Sequence, residues 1–500
     1  MKLYQKLILS LLSALFLFLS FKELGFFAWF SLLPFLFALY KSTFRHSLFC
    51  SIILGIGFFI GLTYWITELF VKYIWPVIFL FASIYLIITG ILIHFILNKI
   101  SQIYLRIFLI PAVWISIEFL RSQTFLAFTI GTLGYSQHNF LPLMHITRFT
   151  GIYGVSFILI LFNVTVFETI IFYLNNKKLN FRFLAVSLSI LLLFVTYGII
   201  SVNSNLDRVI KNKNFTEIKI AAVQPNISFG DKYSDKGVEI IPEPYSGLEY
   251  FQPGTELVIF PESVIWGKLD NNTDFKDWAG STAQTENFHL ILGQYYHNES
   301  KTEWYNSAVL YNPKLEITGI YHEIHPIPFI QYMPYPRILS FLKFLDFSKI
   351  NLILGDDYSP LEIPGKGKLG INICFESTLP DIARRFRNND AEAIIVLSDD
   401  SSLNDSIAPW HHLIFSRIRA IENGCYFVHS TNTGITAIIS PDGDIVKKID
   451  LTKKGVICGN IYLIPYKTFY ARFGNLILYI YLGILFTITM IYIFLKRLKQ

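Results

Sequence analysis

Charge is what this chain has least of. Only 16% of its 500 residues are Asp, Glu, Lys or Arg, against about 25% in a typical soluble chain. That shortfall excludes a disordered protein and argues against a wholly soluble enzyme. Cysteine is scarce as well. Cys50, Cys374, Cys425 and Cys458 are too few and too scattered for a disulfide framework or a zinc cluster. No P-loop, GxGxxG motif, internal repeat, low-complexity linker or metal-ligand cluster occurs, so no cofactor and no metal are expected. What is abundant is apolar. Hydrophobic residues make up 53% of the chain and Phe alone numbers 47, so much of it must face lipid or a very large core.

The composition is an average over two solvents. Residues 1–204 hold 13 Lys and Arg, 4 Glu and no Asp, whereas residues 205–474 hold 58 charges in 270 positions. The formal charge of +6 divides into +9, −6 and +3 across residues 1–204, 205–474 and 475–500. The basic excess therefore follows the apolar segments and is no sign of a nucleic-acid partner. Three regions are expected: an N-terminal membrane domain over 1–204, a soluble domain over 205–474, and a C-terminal span with its tail over 475–500.

A membrane span needs about 20 mostly apolar residues. Seven candidates precede the soluble block, at about 5–21, 24–40, 48–70, 73–97, 105–120, 152–174 and 181–202. An eighth runs over about 475–495. Lys2 and Lys6 ahead of the first run resemble a signal peptide, but no small-residue cleavage site follows, so it reads as a helix. Twelve flanking Lys and Arg fall on one side of these spans and four on the other. Positive flanks face the cytoplasm, which puts both termini inside and the 270-residue block outside. The loop over 121–151 is too polar for a span and too apolar for a solvated loop. It reads equally as a re-entrant or interfacial segment and as a lipid-facing entry to a site.

From Ile218 onward the pattern changes to short β-branched runs bounded by Pro, Gly, Asn or Asp, which are strand signals. They run from IKIAAVQPN through ELVIFPES, HLILGQYY, SAVLYNP, KLGINICFES, AEAIIVLSDD, CYFVHSTNTG and ITAIISPDG to GVICGNIYL. Helical stretches such as LPDIARRFRNND and PWHHLIFSRIRAIENG separate several of them. In such α/β folds the site lies at polar strand ends, here Glu262, the 374–376 segment, Ser398–Asp400 and Thr431–Thr433. Base rates favour a buried, inert strand cysteine at 374, as at 425 and 458. What sets Cys374 apart is Glu262 at another strand end, since a thiol and a carboxylate so placed form a nucleophile–base pair.

The succession IAAVQPNI, VIFPES, ILGQ, YNSAVLY, IPF, GINICFES, PWHHLIFSRIRAIENG and STNTGITAIISPDGDI resembles the carbon–nitrogen hydrolase (nitrilase) superfamily. With spans on both flanks, and with LGYSQ, TGIYGVSF and YARFG, the chain is similar specifically to the apolipoprotein N-acyltransferase family. The resemblance covers nearly the whole chain. It implies a membrane α-helical bundle of about eight transmembrane helices with an inserted nitrilase-like αββα sandwich facing the periplasm. It also implies a Glu–Lys–Cys triad that takes an acyl chain from a phospholipid as a cysteine thioester. The acceptor is then the α-amine of an apolipoprotein's N-terminal diacylglyceryl-cysteine. Position by position, Glu262 falls on the general base, Cys374 on the nucleophile and Glu376 on a second acid beside it.

The lysine is missing. The family pattern is Tyr-x-Lys, two residues, then Leu-Val-Pro-Phe-Gly-Glu, but this chain reads YHEIHPIPFIQY. Glu323 stands at the lysine position and Gln331 at the final glutamate. Phe375 replaces the usual Tyr, and DDSSLN at 399–404 replaces an Asn-Asp-x-Trp-Phe-Gly-like stretch. An acid in place of the cation disfavours a thiolate. Two compensations are open: Glu323 held protonated as a hydrogen-bond donor, or His322 or His325 turned inward as the cation. Three functions follow: an N-acyltransferase; a catalytically impaired paralogue that binds lipoprotein or phospholipid on the same scaffold; and, third, a plain amidase, which would not need eight spans.

Overall fold

In lipid an apolar run satisfies its own backbone groups by forming a helix, and the long runs of the first 204 residues do so. The computed structural model describes residues 1–68, 72–123, 127–203, 215–232, 251–266, 273–297, 304–335, 337, 352–403 and 406–498. The chain divides into two compact units, one of residues 1–67, 73–203 and 473–500, the other of residues 68–72 and 204–472.

The first unit contains α1 (Leu3–Ser20), α2 (Leu33–Leu39), α3 (Phe44–Thr63), α4 (Trp75–Lys99), α5 (Ile103–Arg121), α6 (Ile152–Asn176) and α7 (Arg182–Asn203), with a last helix over Leu476–Leu498. Among the described residues six helices are long and apolar enough to cross a membrane: α1, α3 to α7. The expected span at 24–40 differs. It is a 3-10 turn (Gly25–Trp29) followed by the seven-residue α2, which opens on Pro34. The break is held from a distance by Asn163 of α6, which accepts from Leu32 N at 2.9 Å and donates to Ala28 O at 3.0 Å. Of the last helix, the described apolar run Leu476–Tyr492 falls short of the same length.

Several buried charges inside this unit have hydrogen-bond partners. Arg106, expected as a flanking loop charge, lies in the first turn of α5 and forms a two-pronged ion pair with Glu168 of α6 at 2.7 and 2.6 Å. Glu118 is tolerated in α5 because its Oε1 accepts from Trp114 Nε1 and Leu133 N, both at 2.8 Å. Leu133 opens a buried 3-10 turn, Leu133–Gln137, within the ambiguous 121–151 loop. Gln137 accepts from Trp29 Nε1 and donates to Gly25 O, so this irregular backbone is buried in protein, the condition under which such backbone is tolerated at membrane depth. Residues 124–126 of that loop lie outside the described residues.

The second unit is built on two sheets. One has strand order β13-β1-β2-β4-β5-β6 with β3 on β4, and the other β12-β11-β10-β9-β8-β7. Their ranges are β1 (Glu217–Gln224), β2 (Leu257–Ile259), β3 (Ile265–Trp266), β4 (His289–His297), β5 (Trp304–Tyr311), β6 (Ile317–His322), β7 (Leu361–Ile363), β8 (Gly367–Ile373), β9 (Ala393–Ser398), β10 (Phe427–Thr431), β11 (Thr436–Ile439), β12 (Ile445–Ile449) and β13 (Gly455–Tyr462). Each of the nine runs read as strands contains one, and β3, β6, β7 and β12 are additional. The inner faces meet where Ser430 of β10 donates to Val223 O of β1 and Ile259 O of β2. Outside the first sheet, α8 (Thr273–Glu286) packs through Ala279 and Ala283 into a core with Val258, Leu290 and Val309. Helices α9 (Pro380–Asn388) and α10 (Ala408–Asn423) pack on β8 and β10 of the second. The result is an αββα sandwich in which β1, β2 and β4 are parallel, as are β8, β9 and β10, so their C-terminal ends gather the polar residues.

The Arg106–Glu168 pair gives a direct test. Glu168→Ala strands a buried guanidinium and is expected to destabilise the protein by about 3–5 kcal/mol, whereas replacing both partners with Met is expected to restore most of it. Unfolding midpoints of the purified full chain in detergent check both.

Candidate active site

Glu262 follows β2 behind Phe260 and Pro261, and the chain then turns through Ser263 at φ 56°. Gly293 of β4 passes directly beneath, and a Cβ there would stand 2.5 Å from the Glu262 Cα. This glycine permits the close approach that places Glu262 inward, 4% exposed. Its Oε1 accepts from Asn306 Nδ2 at 2.7 Å and its Oε2 from Asp399 N at 2.8 Å. Lys232 donates to the Glu262 carbonyl at 3.0 Å and to Asp399 Oδ2 at 2.8 Å. Burial and then Asp399 push the Glu262 carboxyl up, while Lys232 pulls it down. For Asp399, burial is more than offset by Lys232, which leaves it below the usual carboxylate range.

Cys374 lies at the end of β8, where the strand breaks into a 3-10 turn over Cys374–Thr378. Its φ is +48°, uncommon for any residue with a side chain. A nucleophile on a sharp strand-to-turn junction is thereby lifted out of the sheet. The thiol hydrogen-bonds with the Ser398 hydroxyl and is pushed well up, first by burial and then by Glu262, Asp400 and Glu323.

Glu376 fixes this junction. Its Oε2 accepts from Ile373 N at 2.8 Å, and its Oε1 from Ile324 N and His325 N at 2.8 and 3.1 Å. Tyr321 O–H donates to the same carboxylate at 2.8 Å. Burial raises Glu376 to about 7 against these donors. The same contacts bring the exit of β6 against the Cys374 turn and so set the position of Glu323.

Glu323 is 1% exposed. Its Oε2 accepts from Asn306 Nδ2 at 2.9 Å and from Gln331 Nε2 at 3.3 Å, while its Oε1 is buried with no hydrogen-bond partner among the described residues. Burial, then Glu262 and Glu376, push its carboxyl well above the usual range. Glu262, Cys374, Glu323, Glu376 and Gln331 therefore converge. Neither histidine beside Glu323 hydrogen-bonds to it among the described residues. His322 binds Ser307 Oγ through Nδ1 at 2.7 Å and stacks on Tyr305. His325 faces Arg385 and Asp381. Burial lowers both below the ordinary histidine value.

Several members of the site escaped the sequence reading. Asn306, inside the quoted YNSAVLY run, bridges the two carboxylates, and Lys232 and Asp399 flank Glu262. The spacing of His and acidic residues along the chain gave no metal-ligand cluster, yet folding places ligand atoms of Asp400, His412 and His429 within 4.8 Å of one another, all buried. His412 Nδ1 faces Asp400 Oδ1 at 3.1 Å and His429 Nδ1 faces Ser416 Oγ at 2.7 Å.

Comparison with known proteins follows this geometry. Residues 219–464 match the carbon-nitrogen hydrolase family, and residues 13–165 match the apolipoprotein N-acyltransferase N-terminal domain. An apolipoprotein N-acyltransferase of Rickettsia typhi is 30% identical over 443 residues, covering 84% of each chain. One from Geobacter metallireducens is 26% identical over 484 residues, covering 94% of this chain and 91% of its own. Treponema denticola has one, named apolipoprotein N-acyltransferase 1, that is 24% identical over 520 residues, covering 95% and 92%. A membrane-type helical unit and a nitrilase-like sandwich in one chain agree with both matches. This multi-pass membrane protein belongs to the apolipoprotein N-acyltransferase family.

Proposed function

We propose that this protein transfers an acyl chain from a phospholipid to the N-terminal diacylglyceryl-cysteine of apolipoproteins, through a thioester on Cys374. The observation that carries the reading is the placement of Cys374 at a positive φ with the Glu262–Asn306–Glu323 chain beside it. Both Glu262 oxygens accept hydrogen bonds, as an ionised carboxylate does, so Glu262 is the base. It takes the thiol proton as sulfur attacks the phospholipid ester carbonyl. Collapse breaks the ester C–O bond, and the proton passes from Glu262 to the departing lysophospholipid oxygen. The apolipoprotein α-amine then attacks the thioester and loses a proton to Glu262. Cleavage of the C–S bond leaves the amide, and the proton returns to sulfur.

Glu323 takes the lysine's place as a neutral donor. Two carboxylates that share one amide group hold one proton between them. Glu323 holds it, because Lys232 and the Asp399 N–H favour charge on Glu262. Since Glu323 Oε2 already accepts from Asn306 and Gln331, the proton sits on the partnerless Oε1, which supplies the donor for the developing oxyanion. Loss of one such donor typically costs about 3–4 kcal/mol, or 10²–10³ in rate.

We read the protein as a bacterial inner-membrane protein with both termini cytoplasmic and the sandwich periplasmic, a reading supported by the bias of Lys and Arg flanking the spans expected from hydropathy. A second reading, a catalytically impaired paralogue that binds lipoprotein or phospholipid, is favoured by the strongly raised Cys374 thiol.

Incubation of the membrane protein with phospholipid is expected to leave an acyl thioester on Cys374, detected by mass spectrometry and absent from Cys374→Ala and Glu262→Gln. No adduct on the wild type, with an adduct on Glu323→Lys, establishes the impaired reading instead. The protonated Glu323 also makes stability depend on pH. A carboxyl raised above its unfolded value of about 4.3 stabilises below that value, and the stabilisation is lost as pH rises through the folded value. Relative to wild type, Glu323→Gln is therefore expected to gain thermal stability as pH rises above about 5. A constant difference in unfolding temperature contradicts this.

A further inference from the structure

We infer that His412, held doubly protonated by Asp400, is a fixed cation beside Cys374 in this active site and positions the Cys374 peptide through its carbonyl. The inference rests on Cys374 being the nucleophile proposed above. It assigns to α10 the charge that neither Glu323 nor the neighbouring His322 and His325 supplies.

The hydrogen-bond directions carry it. His412 Nε2 lies 2.9 Å from the Cys374 carbonyl oxygen, which can only accept. The same nitrogen lies 2.7 Å from Ser377 Oγ, and that hydroxyl spends its proton on the Cys374 carbonyl at 3.0 Å. Nε2 therefore carries a proton. On the other side of the ring, Nδ1 lies 3.1 Å from Asp400 Oδ1. The Ser398 hydroxyl already donates to that oxygen at 2.8 Å, so Nδ1 also faces an acceptor. A ring with acceptors at both nitrogens is satisfied only as imidazolium.

The surroundings agree. From the turn before α10 comes Asp400, and from the loop after β2 comes Glu262. Both favour the charged ring, and together with the Cys374 carbonyl they outweigh its burial. His429 of β10 meets His412 edge-on at 4.8 Å between ring centroids and binds Ser416 through Nδ1 at 2.7 Å. Burial and then the charge on His412 push His429 down to about 3, so it is neutral. The charged groups of α9 are engaged elsewhere: Asp381 with Arg384 and Arg385, and Arg387 with the carbonyls of Ala391, Ile464 and Tyr466. The Glu376 carboxylate is turned to the backbone of Ile373, Ile324 and His325. The strand β11 (TAII) brings no charge.

The charged carboxylates of Glu262 and Asp400 oppose ionisation of the Cys374 thiol, and a cation bonded to its own peptide carbonyl opposes them. A nearby opposite charge favours the ionised form of a titratable group.

The test is the pH profile of Cys374 alkylation by iodoacetamide in the full-length protein in detergent, read by mass spectrometry of the peptide that carries Cys374. His412→Gln can still present an N–H to the Cys374 carbonyl but removes the charge. Its alkylation midpoint is expected to rise by at least about one unit, with at least roughly tenfold slower reaction below the wild-type midpoint. A folded His412→Gln with an unmoved midpoint, even with a uniformly lower rate, overturns the proposal and leaves His412 a structural residue. A second measurement needs no variant. In 15N-histidine spectra of the wild-type protein at pH 8, well above the ordinary value of about 6.5, one imidazolium is expected to persist among the eleven histidines. A spectrum of neutral rings alone overturns it. Alkylation requires neither phospholipid nor lipoprotein, so failure of acyl transfer and failure of the His412 assignment are read separately.

Discussion

The buried carboxylate of Glu376 is the constraint on which the site depends. It is fully buried and gathers three backbone N–H groups and one phenol from two segments far apart in the chain. One segment leaves β6 in the first sheet and the other ends β8 in the second. A buried N–H without a partner costs about 1–3 kcal/mol, so separating the two strand ends would orphan several groups at once. The strained φ at Cys374 and the inward direction of Glu323 are both consequences of this junction, since each residue lies within two positions of a backbone group that it holds.

Around that junction the site is crowded with acids. Glu262, Glu323, Glu376, Asp399 and Asp400 are all buried or nearly so, and two bases answer them: Lys232 against Asp399, and His412 against Asp400. The distribution separates roles that composition would merge. Asp399 and Asp400 are held below the usual carboxylate range by their partners, whereas Glu323, with no cation bonded to it among the described residues, is pushed the other way. Adjacent carboxyls with opposed environments make one a charged acceptor and another a neutral donor. A neutral donor is a weaker substitute for lysine at an oxyanion, but it needs no counter-charge in a buried pocket.

The helical unit follows the same rule in an apolar solvent. Arg106 is tolerated because Glu168 meets it with both oxygens, and Glu118 because Trp114 and the Leu133 N–H do. The interrupted helix at 25–39 stands because Asn163 bonds the backbone on both sides of the break. Hydropathy alone read that stretch as one span. Its interruption depends on an amide 135 positions away, which no local window contains.

The sequence by itself determined where six of the eight expected spans form long apolar helices, where the α/β sandwich begins, and that Cys374 and Glu262 end strands. Hydropathy, β-branched runs and turn residues are local properties, and local properties survive in one dimension. The short strands β3, β6, β7 and β12 carry too little pattern to be read this way. Only the tertiary structure decided how the polar strand ends are wired. Asn306 spans two carboxylates, Lys232 reaches the Glu262 carbonyl, and His412 is held between Asp400 and the Cys374 carbonyl. Those pairings join residues 17 to 44 positions apart in some cases, through sheets that must first pack. The absent lysine was visible in the sequence. What replaces its charge was not, because a histidine on a helix becomes a cation only when the fold surrounds it with acceptors.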